Sequence, residues 1–232
     1  MNLLTDVRYF SIVGLLVVAA MVFAAILTQA RSGPHASDAG DTPTPSPTAD
    51  SGGTPDATAA PTEPPLMFAE AATVIDAEAN DYTATITTAR GDVVIALHAD
   101  QAPNTVNSFV FLAQQGYFDG ITFHRVVPNF VAQSGDPSGT GTGGPGYETE
   151  QEATDLTNTR GTVAMARASG TTKFGSQFFI NLKDNPALDV DQTNQARFYP
   201  FGEVIEGMDV VDQLVQGDVI LSVAVEETPR GS

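Results

Sequence analysis

The first patterned segment of the chain is an apolar run near its N-terminus. Phe10–Thr28 contains 19 residues without a charge, and about 20 apolar residues are needed to cross a bilayer as a helix. The run predicts a transmembrane anchor within residues 1–31. A cleaved secretory signal is the alternative, but its apolar core usually spans only about 7 to 15 residues. The length of the run therefore favours a retained anchor.

The next segment, residues 32–65, has a different composition. It is rich in Pro, Thr, Ser and Ala and contains no Leu, Ile, Val, Phe or Tyr, so it cannot bury enough apolar surface to offset the entropy of ordering its backbone. We expect a disordered linker, which is typical of tethers outside the cytoplasm. The two segments predict a single-pass protein of the cell membrane with residues 66–232 folded on the extracytoplasmic side, or a secreted protein if the signal is cleaved.

Residues 66–232 carry the short alternating patterns that are typical of strands. Tyr82–Thr88 alternates, and Asp92–Leu97 follows after a turn, which predicts a hairpin. Further strands are predicted at 121–127, 130–133, 162–166, 177–181, 200–204 and 220–225. Helical spacing predicts one helix from Pro103 to Gly116 and a second over Met208–Val215. Many short strands with two helices predict a mainly β domain built as a closed barrel.

A long glycine-rich connection, Ser134–Arg160, contains few apolar residues. Loops of this length inside compact domains are usually functional. A phosphate-binding loop is disfavoured, because no Lys-Ser or Lys-Thr pair follows Gly146 and no helix is predicted where a phosphate would bind. We expect the connection to border the functional site.

Composition excludes several classes of function. The chain has 10 Lys+Arg against 28 Asp+Glu, a formal net charge of -18 and a sequence pI of about 4.1, which argues against nucleic acid as a partner. The absence of Cys excludes disulfides, thiolate metal sites and cysteine nucleophiles. The three His residues are far apart, and none has the spacing of paired metal ligands. We therefore do not expect a metal enzyme.

One charged residue interrupts the apolar strand predicted at 121–127. Alternation places Phe123, Arg125 and Val127 on one face and sends His124 to the other, where a supporting role is expected. An arginine among inward-facing apolar residues has two interpretations: a structural residue capped by carbonyls or a carboxylate, or a functional one. The strand pattern alone does not decide between them.

Several long motifs occur in order along residues 82–211. They are Ala102–Phe109, Gly116–Gly120, Pro128–Pro137, Gly139–Tyr147, Gly175–Ile180 and Phe201–Val204. Together they closely resemble the signature of the cyclophilin-type peptidyl-prolyl cis-trans isomerases. The resemblance implies an eight-stranded antiparallel barrel closed by two helices, in agreement with the elements predicted above. It also implies a groove that binds Xaa-Pro peptides and accelerates rotation about their imide bonds without a cofactor.

The resemblance implies roles for individual residues. Arg125 matches the family's catalytic arginine, and Gln133 matches the glutamine that binds the substrate backbone and helps to hold that arginine. The positions that match the substrate-binding groove are Phe130, Val131, Ala166, Arg167, Gln177, Phe179, Leu188 and Phe198. Those expected to form the proline pocket are Phe130, Val131, Phe179 and Leu188, whereas Ala166 and Arg167 correspond to an Ala-Asn pair whose backbone binds the peptide. Strand alternation predicts that the neighbouring Phe178 lies in the core.

Three positions depart from the family's pattern. Asn129 replaces a frequent glycine, and Asn is the residue other than glycine that best tolerates a left-handed turn. Phe198 stands where the family has a histidine on the groove rim, and Ala187 stands where many relatives carry a tryptophan. Because that tryptophan contributes to cyclosporin binding in family members that bind tightly, we expect weak cyclosporin binding here.

These observations predict an isomerase that acts on proline-containing, unfolded or newly secreted polypeptides and assists their folding. Two alternatives keep the same barrel: a catalytically weak peptide-binding or chaperone module, and a structural domain of an envelope assembly. Replacing Arg125 by Ala would separate the first two, because it removes catalysis and leaves most peptide binding intact.

Overall fold

The structure, a computed structural model, describes residues 66–167, 171, 173–189 and 197–231. The predicted anchor, residues 1–31, and the predicted linker, residues 32–65, lie outside the described residues. Within the described ranges, no helix is both long and apolar enough to span a membrane. The anchor and the linker stay predictions from sequence.

An antiparallel sheet of eight strands forms the body of the described part. In chain order the strands are β1 (Asn80–Thr88), β2 (Gly91–Leu97), β3 (Arg125–Val127), β4 (Val131–Ser134), β5 (Thr149–Glu150), β6 (Thr162–Met165), β7 (Lys173–Phe174), β8 (Phe178–Asn181), β9 (Pro200–Glu206) and β10 (Ile220–Pro229). The order in the large sheet is β10-β1-β2-β9-β6-β8-β4-β3, and β5 pairs separately with β7. The predicted eight-stranded antiparallel architecture is confirmed.

The predicted closure of the barrel is wrong in its detail, because the two edge strands β3 and β10 form no ladder with each other among the described residues. The chain just before β3 instead meets the start of β10 through a single bridge between Thr122 and Val219. Backbone hydrogen bonds flank this bridge, from Phe123 N to the Asp218 carbonyl at 2.7 Å and from Ile220 N to the Ile121 carbonyl at 2.8 Å. The sheet is thus a curled half-barrel.

The same seam corrects the predicted strand over residues 121–127. Only Arg125–Val127 forms a ladder, and the chain before it follows the bridge geometry. Phe123 is fully buried in the main core, whereas Arg125 is exposed. The two side chains therefore do not share a face, since alternation holds only within a continuous strand.

Within the part of the chain that the structure describes, two α-helices accompany the sheet, α1 (Pro103–Gln114) and α2 (Met208–Val211), with a 3₁₀ helix at Pro186–Leu188. Proline occupies the first turn of α1, where its missing N–H costs nothing, and the carboxylate of Glu152 accepts hydrogen bonds from the backbone N–H groups of Asn104 and Thr105 at 3.1 and 2.7 Å.

The second helix, α2, is shorter than predicted. From Gln213 onward the backbone bonds tighten to a three-residue spacing, which turns Leu214 into the core.

The main core lies between α1 and the concave face of the sheet. Alternation in β1 and β2 buries one face of the predicted hairpin, as expected from its pattern. Aromatic rings fill the centre, with Phe109 contacting Phe118, Phe178 and Phe201 at centroid distances of 5.0, 5.7 and 5.5 Å. These rings are at most 1% exposed. The core therefore supports the strands that carry the candidate site on their opposite face.

Candidate active site

A small pocket on the convex face of the sheet gathers nearly all the residues predicted to bind or catalyse. Its volume is about 110 Å³. It is lined by Arg125, Phe130, Val131, Gln133, Ala166, Arg167, Phe179, Leu188 and Phe198. Of the predicted site residues only Gln177 lies outside this lining, and it contacts the pocket through Gln133. The lining residues come from three strands, β3, β4 and β8, and from the segments that follow β3, β6 and β8. They converge because β3, β4, β8 and β6 are successive neighbours in the sheet.

The polar edge of the pocket comes from the β3–β4 hairpin. Arg125 is paired in register with Gln133, so both side chains rise on the same face. The turn between the strands contains Asn129 at φ 57°, a left-handed conformation that Asn tolerates. This turn brings the ring of Phe130 to 5.6 Å from the guanidinium carbon of Arg125. An exposed cation thus stands beside the aromatic wall of an apolar pocket.

The apolar wall is a cluster separate from the main core. Its buried members are Val131, Ala164, Ala166 and Phe179, with Phe130, Leu188 and Phe198 packed against them. The rings of Phe179 and Phe198 meet edge to face at a centroid distance of 5.7 Å. Phe178, the neighbour of Phe179 on β8, is fully buried in the main core, which confirms the prediction from alternation.

Gln177 connects the pocket to the glycine-rich connection. Its Oε1 accepts a hydrogen bond from Gln133 Nε2 at 3.0 Å, and its Nε2 donates to the carbonyl of Gly143, also at 3.0 Å. These bonds fix the orientation of both amides, since Gln133 has one committed partner and Gln177 has two. The two hydrogen bonds of Gln177 therefore hold Gln133 beside Arg125.

The carboxylate of Asp136 holds the connection in shape. Its oxygens accept hydrogen bonds from the backbone N–H and hydroxyl of Ser138, each at 2.7 Å, and from the N–H of Gly141. Burial alone would raise the pKa of Asp136, but the bonds from Ser138 and from the glycine N–H groups outweigh it and lower the pKa. A Cβ on Gly143 would lie 2.1 Å from Asp136 Oδ1. Only glycine therefore allows this close approach.

A larger cavity of about 340 Å³ lies beside the pocket. Ala166 and Arg167 line both spaces, so the two adjoin at these residues. The rest of the lining comes mainly from the glycine-rich connection and the β7 region, with Gln177 at its base. The connection, predicted to border the functional site, lines this cavity and contacts Gln177 through the Gly143 carbonyl. The cavity itself was not predicted, because it arises where two segments about 30 residues apart in sequence meet; the density of glycines was the one available signal.

Arg167 occupies the junction of the two spaces. Its guanidinium carbon lies 4.2 Å from the ring centroid of Phe198 and 5.8 Å from that of Phe174. The Nε and Nη2 atoms are buried and have no hydrogen-bond partner among the described residues. Burial lowers the pKa of this guanidinium.

A buried polar network supports the wall that carries Leu188 and Phe198. Asn158 is 1% exposed. Its side-chain amide donates to Asp189 Oδ1 and to the carbonyl of Phe198, each at 2.8 Å. The guanidinium of Arg197 contacts Asp189 from the other side at 3.7 Å. Sequence reasoning missed this support, since its partners are 31 to 40 residues away from Asn158.

His124 was expected to support structure. Both of its ring nitrogens are buried without a hydrogen-bond partner in the part of the chain that is described, and burial lowers its pKa. The burial of both nitrogens fits that expectation. Among the described residues, no group of three His, Cys, Asp or Glu side chains could hold a metal ion.

Comparisons with known proteins agree with this geometry. The family model described as cyclophilin type peptidyl-prolyl cis-trans isomerase/CLD matches residues 83–230. A peptidyl-prolyl cis-trans isomerase of Helicobacter pylori is 44% identical over 144 residues, which cover 60% of this chain and 84% of that relative. Peptidyl-prolyl cis-trans isomerase B of Bacillus subtilis is 44% identical over 132 residues, covering 56% and 87%.

Solved structures show the same similarity in three dimensions. A cyclophilin type peptidyl-prolyl cis-trans isomerase of Cryptosporidium parvum superposes with a TM-score of 0.56 at 26% identity, covering 64% of this chain and 99% of that one. A second structure of that protein, determined in the presence of the dipeptide Ala-Pro, gives a TM-score of 0.55 at 28% identity and covers 62% and 98%. The similarity extends over nearly the whole of the matched protein.

Proposed function

This chain belongs to the cyclophilin-type peptidyl-prolyl cis-trans isomerase family, and we propose that it isomerises Xaa-Pro bonds in polypeptides outside the cytoplasm and thereby assists their folding. The observation that carries the proposal is the position of Arg125, an exposed cation at the edge of an apolar pocket and opposite Gln133. A proline ring fits the pocket, and a peptide backbone follows the adjoining edge.

The chemistry requires weakening of the partial double bond between the carbonyl carbon and the proline nitrogen. The uncatalysed barrier is about 18–20 kcal/mol. When the bond twists out of conjugation, a lone pair develops on the nitrogen, and a donor aimed at it stabilises the transition state more than the ground state. Arg125 supplies this donor, because its guanidinium is always charged and holds its N–H groups in a rigid fork. No covalent bond breaks, so neither a nucleophile nor a cofactor is needed.

The apolar wall of the pocket strengthens the electrostatic effect of Arg125. The side chains of Val131, Phe179 and Leu188 surround the proline and exclude water, which strengthens the electrostatic effect of the cation. Gln133, held by Gln177, binds the substrate backbone and keeps the arginine in place. Arg125 has no carboxylate partner among the described residues, so its donors are available to the substrate.

Exchange NMR on a short Xaa-Pro peptide tests the activity. We expect the full chain in zwitterionic detergent to accelerate cis/trans exchange and the Arg125→Ala variant to lose about 10²- to 10³-fold of that acceleration. Arg230→Ala is the matched control, because Arg230 pairs with Asp81 outside the pocket. If the wild type binds the peptide but does not accelerate exchange, the catalytically weak peptide-binding module replaces the isomerase.

The location of the folded part rests on the sequence of residues 1–65. An uncharged run of 19 residues followed by a Pro- and Thr-rich linker supports a single-pass anchor with the isomerase domain on the extracytoplasmic side. Protease added to intact cells should remove the folded domain from such an anchor. A domain that is protected until the membrane is opened would place it in the cytoplasm and overturn this part of the proposal.

A further inference from the structure

The cationic side chains are distributed unevenly between the pocket and the remaining surface. Of the eight Lys and Arg residues between 66 and 231, five form ion pairs. The pairs are Arg90–Asp218, Arg160–Asp212, Lys173–Glu150, Arg197–Asp189 and Arg230–Asp81. Within the described residues, the cations without a carboxylate partner are Arg125, Arg167 and Lys183. Two of these three line the pocket, although acids outnumber bases 28 to 10 in the chain.

The side chain of Arg125 has a role in the proposed reaction, whereas Arg167 is expected to bind the peptide only through its backbone and its side chain has no role. Its guanidinium packs on the ring of Phe198 at 4.2 Å, and two of its nitrogens are buried without an acceptor in the described part of the chain. Burying unpaired donors of a charged group is costly. Desolvation lowers the pKa of Arg167 with no carboxylate to offset it. Nη1 is not one of these buried, unpartnered atoms, and a carboxylate brought by a ligand would pair best with the charge of the guanidinium there.

The position of Arg167 determines which part of a substrate could supply that acceptor. The side chain lines both the proline pocket and the adjoining larger cavity. A peptide with its proline in the pocket advances about 3.3–3.6 Å per residue, so the residues next to the proline pass this junction. The larger cavity also contains Glu148 and Lys173. Lys173 is paired with Glu150, and Glu148 would repel an acid placed deeper in the cavity.

We propose that Arg167 determines substrate specificity by binding the side-chain carboxylate of an Asp or Glu within two residues of the isomerised proline. This inference rests on the proposed isomerase function and names its substrate class. The preferred substrates are acidic Xaa-Pro segments, even though the protein as a whole repels anions.

Matched peptides test the preference. Glu and Gln are compared at each of the two positions on either side of a single proline, and the rate of cis/trans exchange with the full chain in zwitterionic detergent is divided by the uncatalysed rate of the same peptide. At one position or more, we expect the Glu peptide to be favoured about fivefold at low salt, the effect of one contact between half-solvated charges. The preference should shrink in 1 M NaCl. Ratios within twofold of one at all four positions would overturn the proposal.

Variants assign the preference to Arg167. Arg167→Gln should bring the Glu/Gln ratio close to one, and Arg167→Lys should keep part of it, since the charge stays and the planar fork is lost. Lys183→Gln is the control, because it removes an exposed and unpaired charge outside the pocket; the ratio should not change. Glu148→Gln should raise the ratio. A ratio that survives Arg167→Gln would assign the preference to another group.

The two proposals fail in different ways. If the wild type accelerates every peptide equally, the isomerase stands and only the specificity of Arg167 is refuted. If it accelerates none, the proposed function fails, and the dissociation constants of the Glu and Gln peptides, measured from NMR shifts, test Arg167 separately. Should Arg167→Gln not fold, the salt dependence of the wild-type ratio and the effect of Glu148→Gln still decide the outcome.

Discussion

The two faces of the central sheet differ in what they pack against. The concave face packs against α1 in a core of apolar side chains, many of them fully buried. Among the described residues, the convex face at β4, β6 and β8 carries a cluster of four buried apolar residues, two unpaired arginines and two cavities. One face is therefore built for stability and the other for contact with a ligand, although adjacent residues of one strand contribute to both.

Phe178 and Phe179 are neighbours in the chain, but their side chains lie on opposite faces of the sheet. Phe178→Ala should cost about 3–5 kcal/mol of unfolding free energy, because it opens a cavity in the main core. Phe179→Ala should cost less, since its cluster borders an open pocket, but it should reduce isomerisation at least about tenfold by removing a wall of the proline site. Urea denaturation and exchange NMR on both variants measure the two effects. Equal losses of stability would mean that the two faces do not differ in this way.

Arg125→Lys tests whether a residue of the pocket face affects activity without affecting stability. The charge remains, but the rigid fork is lost, so we expect the acceleration of exchange to fall about tenfold or more. The melting temperature should not change, since Arg125 is exposed and has no carboxylate partner among the described residues. A stability loss as large as that of Phe178→Ala would mean that Arg125 serves the fold.

The rim offers a gain-of-binding experiment. Ala187 is exposed. The resemblance predicts that it stands where many relatives carry a tryptophan, so we expect weak inhibition by cyclosporin and about tenfold tighter binding by Ala187→Trp, from added aromatic contact area. Competition by cyclosporin in the exchange assay measures both. Ser222→Trp is the control, because Ser222 is exposed on β10 and does not line the pocket. A low-nanomolar inhibition constant for the wild type would contradict the prediction.

The smallest effect concerns pH and the glycine-rich connection. Because the folded pKa of Asp136 is lowered from its ordinary 3.8, its contribution to stability is complete above the unfolded pKa and is lost as the pH falls through the lower folded value. Asp136→Asn should therefore cost on the order of 1 kcal/mol at neutral pH and progressively less in acid. Denaturation of both proteins from pH 7 to pH 2 gives the difference. A difference that grows in acid would have the wrong sign.

The sequence alone predicted most of the buried side chains and most of the pocket residues, but it did not predict every strand boundary. Period-two alternation in β1 and β2 predicted which side chains are buried. In β8 all four residues are buried, and alternation there predicted that Phe178 lies in the main core, apart from Phe179 in the pocket cluster. The resemblance to the family, which rests on the motifs, predicted nine residues that line one pocket. The predicted strand over residues 121–127 was too long. Before Arg125 the chain leaves the ladder, and Thr122 forms a bridge with Val219, a residue about 100 positions away.

Local pattern and motif thus determined the elements, the buried faces and the family, since these depend on residues close together in the chain. Only the tertiary structure decided that the sheet stays a half-barrel, that Asn158 supports the pocket wall, and that a larger cavity opens beside the pocket. It also decided that Arg167 lacks a carboxylate partner among the described residues. Ion pairs and cavities arise where distant segments meet, and their partners leave no periodic trace in sequence.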